Sequence, residues 1–146
     1  MKIKVITDKN HDKKSITIIT NEMTPEIQNI IDEVSGQNIQ GAYRGSDILL
    51  NPKDLLFFET DQNTLYAHDE DKAYETRYRL YELEEHLPHY FIRISKSSIV
   101  NIKEISAIEK SITSSRKISF FKSQKTLYVS RKYYPILKEK LNERSL

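Results

Sequence analysis

The stretch Phe91–Ser106, FIRISKSSIVNIKEIS, most constrains how this chain can fold. Phe91, Ile92 and Ile94 make a short β-type run, and Ser95-Lys96-Ser97-Ser98 interrupts it with small hydroxyls around one cation. Ile99 and Val100 resume the run, Asn101 breaks it, and Ile102, Ile105 and Ile108 carry it on. Apolar strands on both sides of so short a polar tip would hold that tip rigidly in solvent. On spacing alone this reads either as an ordinary strand–loop–strand with a solvated lysine or as a deliberately presented cation. Exposed lysines are the norm, so the first is the commoner case.

The chain around this stretch reads as further short strands. Ile39–Tyr43 turns at Arg44-Gly45-Ser46 into 47–50, and Asn51-Pro52 is a break. Residues 55–59 are apolar enough for a central strand; Asp61-Gln62-Asn63 is a turn, and Thr64–His68 answers it. Asp69-Glu70-Asp71-Lys72 precedes a strand over 73–76. Leu80, Leu83 and Leu87 recur at helical spacing until Pro88 stops them. The last strands are expected at 105–110, 117–121 and 126–130. Ser130 is placed to cap a final helix carrying Tyr134, Leu137 and Leu141.

Before Ile39 the pattern differs. Ile3, Val5 and Thr7 alternate with Lys4 and Ile6, the cluster 8–12 is polar, and 15–20 is a second β-branched run, so the two segments are expected to pair as a hairpin. Thr24-Pro25-Glu26 then opens a helix with a cap, a first-turn proline and a favourable carboxylate. Its apolar stripe is Ile27, Ile30, Ile31 and Val34. A two-stranded hairpin is marginal alone, so this ββα unit, residues 1–38, needs a surface to bury against: the main domain, a second copy or a partner.

With 146 residues the chain suits one domain plus a small appendage. It has no cysteine, which removes disulfides and thiolate metal sites and fits a reducing, cytoplasmic setting. No apolar run approaches membrane-spanning length. Of the histidines only His86 and His89 are close, and Pro88 between them spoils a shared helical face for a metal. No serine sits in a Gly-x-Ser-x-Gly elbow, and three glycines cannot build the usual phosphate loops. No enzyme chemistry, cofactor or small-molecule substrate is indicated. The net charge of +2 conceals a division: residues 91–146 hold 13 Lys/Arg against 4 Asp/Glu, whereas residues 1–90 hold 10 against 17. A basic C-terminal part on an acidic remainder points to a polyanion-facing surface.

The run Arg93 to Asn101, followed by Ile105 and Ile108, resembles the central signature of the LytTR family of bacterial DNA-binding domains. The resemblance extends upstream through Asp54–Glu59, Leu65–His68, Leu80–Leu87 and Phe91, and downstream through Tyr128–Tyr133, Ile136 and Leu137. It covers about residues 39–141 in the family's order and leaves out residues 1–38. One departure is Lys122-Ser123-Gln124, where many members place glycine; that hairpin should be wider or strained.

The resemblance implies a mostly β domain over 39–146, an elongated sandwich of small antiparallel sheets with short helices. It also implies a DNA-binding transcription regulator that meets double-stranded DNA through three loops. Carried over, those loops supply Asn63, then Ser95, Lys96 and Ser97, then Arg131 and Lys132. Asn63 can pair with an adenine edge, and Lys96 and Lys132 can donate to guanine or phosphate. Asn101 is read as structural. The family pattern further implies paired direct repeats, a homodimer on DNA, and for some short members a membrane-bound inhibitor protein. The competing reading is a non-catalytic protein-interaction module using the same fold.

Overall fold

A computed structural model describes residues 1–11, 16–35, 38–110 and 115–144. Its first regular element is helix α1 (Pro25–Ser35). Thr24 caps it: the Ile27 N–H donates to Thr24 Oγ1 at 3.3 Å and the Gln28 N–H to the Thr24 carbonyl at 3.0 Å. Strands β1 (Ile39–Tyr43) and β2 (Ser46–Leu50) follow, joined by Arg44-Gly45, both at positive φ. This two-residue turn has the handedness that tight hairpins need. Next come β3 (Phe57–Asp61), β4 (Thr64–His68), β5 (Ala73–Thr76) and α2 (Leu80–His86). Strands β6 (Phe91–Arg93), β7 (Ser98–Asn101), β8 (Ile105–Lys110), β9 (Arg116–Phe120) and β10 (Thr126–Val129) lead to α3 (Tyr134–Arg144).

All strand pairs are antiparallel. They form a seven-stranded sheet ordered β2-β1-β5-β4-β3-β7-β6 and a three-stranded sheet ordered β10-β9-β8. The mostly β, antiparallel architecture is therefore the one expected, with most of the pairing concentrated in one sheet. Strand β3 lies inside it, between β4 and β7, as the apolar run at 55–59 implies. Phe57 stacks on Phe120 of the smaller sheet, ring centroids 5.5 Å apart, so the sheets share one core. Phe58, Ile94, Val100, Ile118, Val129 and Leu137 are fully buried within it.

Asn101 is structural, as read. It is buried; its Nδ2 donates to the Leu55 carbonyl at 2.9 Å, and its Oδ1 accepts the Lys103 N–H at 3.0 Å. The departure at 122–124 widens the hairpin without strain. Residues 121–125 connect β9 to β10 with no positive φ, and Ser123 Oγ bridges the Lys125 N–H and the Glu70 carbonyl. Ser130 acts otherwise than expected. Its buried hydroxyl makes no hydrogen bond among the described residues, while its backbone carbonyl accepts the N–H groups of Tyr133 and Tyr134.

The expected hairpin before α1 is not formed among the described residues. Asp8 to His11 does turn, with the His11 N–H on the Asp8 carbonyl at 3.1 Å, but 1–8 and 16–20 carry no strand; Asp12 and Ser15 lie outside the described residues. Alternation is a local signal, and an isolated hairpin gains too little burial to form on it. Ile3, Val5, Ile16 and Ile19 are each at least 77% exposed, so nothing covers them.

Candidate nucleic-acid interface

Antiparallel register sorts the connections between two ends of the molecule. Because Asp61 pairs with Thr64 and Glu59 with Ser98, the Gln62-Asn63 turn and the Ile94–Ser97 tip leave the sheet at the same end. Backbone hydrogen bonds join them. The Thr60 N–H donates to the Ser97 carbonyl at 2.9 Å, and the Ile94 N–H to the Ser98 carbonyl at 3.0 Å. The third loop is tied to the same tip, since the Ser130 N–H donates to the Ile94 carbonyl at 2.9 Å immediately before Arg131. The turn of Asn63, the tip of Lys96 and the lead-in to α3 thus lie at one end, with strand β3 and that lead-in each hydrogen-bonded to the tip.

Within the tip, Ser95 Oγ accepts the Ser97 N–H at 3.1 Å and lies 3.3 Å from Ser97 Oγ. Ser98 is buried, and its hydroxyl donates to Glu59 at 3.3 Å. Burial pushes the Glu59 carboxyl above its ordinary value; that hydroxyl works against the rise and neighbouring Asp61 adds to it. Asn63, Lys96, Ser97, Arg131 and Lys132 are exposed, and Ser95 is half-buried. Lys132 Nζ lies 5.7 Å from the centroid of the Tyr133 ring, a cation–π distance that keeps the ammonium beside α3.

Three arginines escaped the sequence reading as site residues. Arg93 lies behind the tip: its Nε donates to the Ser95 carbonyl and its Nη2 to the Lys96 carbonyl, both at 2.6 Å, while Nη1 pairs with Glu84 of α2. Two carbonyls held by one rigid fork fix the path of the tip. Its signal was an arginine two residues before the Ser-Lys-Ser turn. Arg77 and Arg79 line a cleft with Asn63, Thr64 and Tyr78. They belong to the half of the chain that is acidic by count, so the tally hid them.

Conversely, part of the C-terminal positive charge is elsewhere. Lys103 follows β7 at the opposite end, its Nζ 4.2 Å from the Tyr90 ring centroid, and Lys122 and Lys125 sit in the β9–β10 turn. Lys110, the last residue of β8, is also at the loop end. It pairs with Arg116, and Arg116 with Val129, the residue before Ser130.

Asparagine, lysine and arginine are thus gathered at one end of a β-domain, where β3 and the lead-in to α3 are each bonded to the Lys96 tip. The LytTr DNA-binding domain profile matches residues 45–142, and the chain belongs to that family. An uncharacterised HTH-type transcriptional regulator of Staphylococcus aureus strain NCTC 8325 is 30% identical over 148 residues, covering 97% of this chain and 99% of the relative. Its counterpart in strain MRSA252 is 29% identical over the same span. Alignment at this coverage reaches into residues 1–38. The helix-turn-helix of those names has no counterpart among the described residues, where no two α-helices are consecutive. The LytTr DNA-binding domain of a Bacillus cereus protein superposes with a TM-score of 0.66 at 24% identity, covering 72% of this chain and 96% of that one, which establishes the likeness of fold. Among the described residues no helix is long and apolar enough to cross a membrane.

Proposed function

We propose that this protein is a cytoplasmic, sequence-specific DNA-binding transcription regulator that places two protomers on paired direct repeats. Asn63, Lys96 and Lys132 are directed at base edges. Ser95, Ser97 and Arg131, with Arg77 and Arg79, meet the sugar–phosphate backbone. The observation that carries the reading is the pair of backbone bonds from Thr60 and Ser130 to the Lys96 tip, which make three polar loops one preorganised surface. Side chains on such a surface lose little conformational freedom on docking, which favours specific contacts over loose ones. Membership of a DNA-binding family supports the reading and leaves no catalytic role to assign.

The test is to recover the genomic fragments the protein retains and then compare its affinity for the recovered repeat pair and for random duplex across a salt series. Tighter, salt-dependent binding to the recovered sites is expected. Folded protein with no preference and a flat salt response would favour the protein-interaction module instead.

A further inference from the structure

Among the described residues before β1, several large apolar and charged side chains are left uncovered in a single copy. Ile3, Val5, Ile6, Ile16 and Ile19 are 77–93% exposed, and Ile30 of α1 is 37% exposed. So many large apolar side chains left exposed within one short segment point to an interaction site. Charge identifies the occupant. Residues 1–20 hold five lysines and two aspartates, whereas residues 21–37 hold four carboxylates and no lysine or arginine. The complementarity is also local. In an extended segment alternate side chains share a face, which groups Lys2, Lys4 and Ile6. On α1, Glu26 and Glu33 lie four before and three after Ile30 and form one exposed ridge with it. Each motif is two like charges with an isoleucine, of opposite sign.

We propose that residues 1–38 form a self-association surface, in which the Lys2-Lys4-Ile6 face of one copy lies on the Glu26-Ile30-Glu33 ridge of a second. A two-fold arrangement makes the contact twice, because each copy carries both halves. Pairing across copies also supplies the covering surface that the β-type segments lack alone, so strand structure at 3–7 and 16–20 forms on association. The contact lies outside the three loops, and it is measured without DNA, so its failure leaves the DNA-binding reading untouched.

Sedimentation of the full chain at micromolar concentration tests it. Wild type should sediment as a dimer of the 17.2 kDa chain. Lys2→Glu/Lys4→Glu and Glu26→Lys/Glu33→Lys should each raise the dimer dissociation constant about tenfold or more. The two combined should restore it. All four positions are exposed, so the β-domain stays folded, and affinity for a single DNA repeat should not change. A monomeric wild type, or a dimer indifferent to either charge reversal, would overturn the proposal. So would failure of the combined variant to recover, or loss of single-repeat affinity with the dimer intact, which would make the segment a DNA contact.

Discussion

Arg93 and Lys96 stand three residues apart and do opposite things with a positive charge. Arg93 turns its guanidinium inward onto the Ser95 and Lys96 carbonyls and Glu84, while Lys96 is exposed at the tip. Lys96→Ala and Lys132→Ala should each cost about 1–3 kcal/mol on the cognate site and relax preference at one base position, if they read base edges. Loss that is equal on all sequences, with a salt slope smaller by about one, would make them phosphate contacts. Lys53, exposed in the turn before β3 at the opposite end, is the control for this experiment. Arg93→Ala should behave differently from either lysine. Cognate affinity should drop by about 1–2 kcal/mol because the tip loses its fixed path, with the salt slope unchanged because no phosphate contact is lost. Thermal stability should fall by only about 1 kcal/mol, since the freed carbonyls and half-exposed Glu84 can take water. Arg93→Lys should not rescue, because one ammonium cannot span two carbonyls and a carboxylate in fork geometry. A reduced salt slope for Arg93→Ala would show that the guanidinium reaches DNA after all.

At the scale of elements, the two sheets are locked at the end opposite the loops. Lys125 Nζ donates to the Lys72 carbonyl at 2.7 Å and lies 3.2 Å from His68 Nδ1, and His68 stacks on Phe57 with centroids 4.2 Å apart. An ammonium has only protons to offer, so His68 Nδ1 is the acceptor and the ring is neutral. Burial first, and Lys125 second, push the His68 pKa down to about 4. Between that value and the ordinary 6.5 the unfolded chain binds a proton that the folded chain refuses, so stability falls as pH falls. Denaturant melts at pH 7 and pH 5 should show a loss of about 1 kcal/mol, held well below the unscreened value because the ring is part-exposed. His68→Phe should flatten that difference; an unchanged pH dependence would place its origin elsewhere. This lock was not legible in the sequence, because His68 and Lys125 are 57 residues apart and nothing in the order of the chain pairs them. The strands were legible. Thr64–His68 and 73–76 fall where the turn residues put them, because each alternates buried side chains with more exposed ones against the core; 105–110 also falls where expected, with Ile105 buried and Ile108 half-buried. The segments 3–7 and 16–20 show the limit, having the pattern with no face to reward it. The candidate site was legible only in outline: family order named three loops, which register and backbone hydrogen bonds bring to one end, but the arginines that brace and flank them needed the register of β5, β6 and β7.

For the whole molecule, the cations of the candidate site are grouped by end of the sandwich and not by half of the chain. Arg77, Arg79, Lys96, Arg131 and Lys132 share the loop end with Asn63, while Lys103, Lys122 and Lys125 are opposite. If the loop end neutralises about six phosphates, log K should fall against log salt with a slope near −5, and Lys122→Ala should leave that slope alone. A slope that shrinks equally for Lys122→Ala and Lys132→Ala would mean that the docking end is misassigned. The three loops also differ in how freely they can change. Gln62 and Asn63 have φ of 48° and 67°, a left-handed pair that closes the β3–β4 hairpin. Only glycine, asparagine and aspartate take the second position without appreciable strain. Glycine has no side-chain group to offer a base, and aspartate would be repelled by a phosphate backbone. Lys96 and Lys132 have no such backbone demand, having ordinary negative φ. As relatives of this chain diverge toward new operators, the tip and the lead-in to α3 can therefore explore many side chains. The hairpin turn is nearly confined to one, so, with Asn63 on a base edge as proposed, the base step it meets should be the part of the target that drifts least.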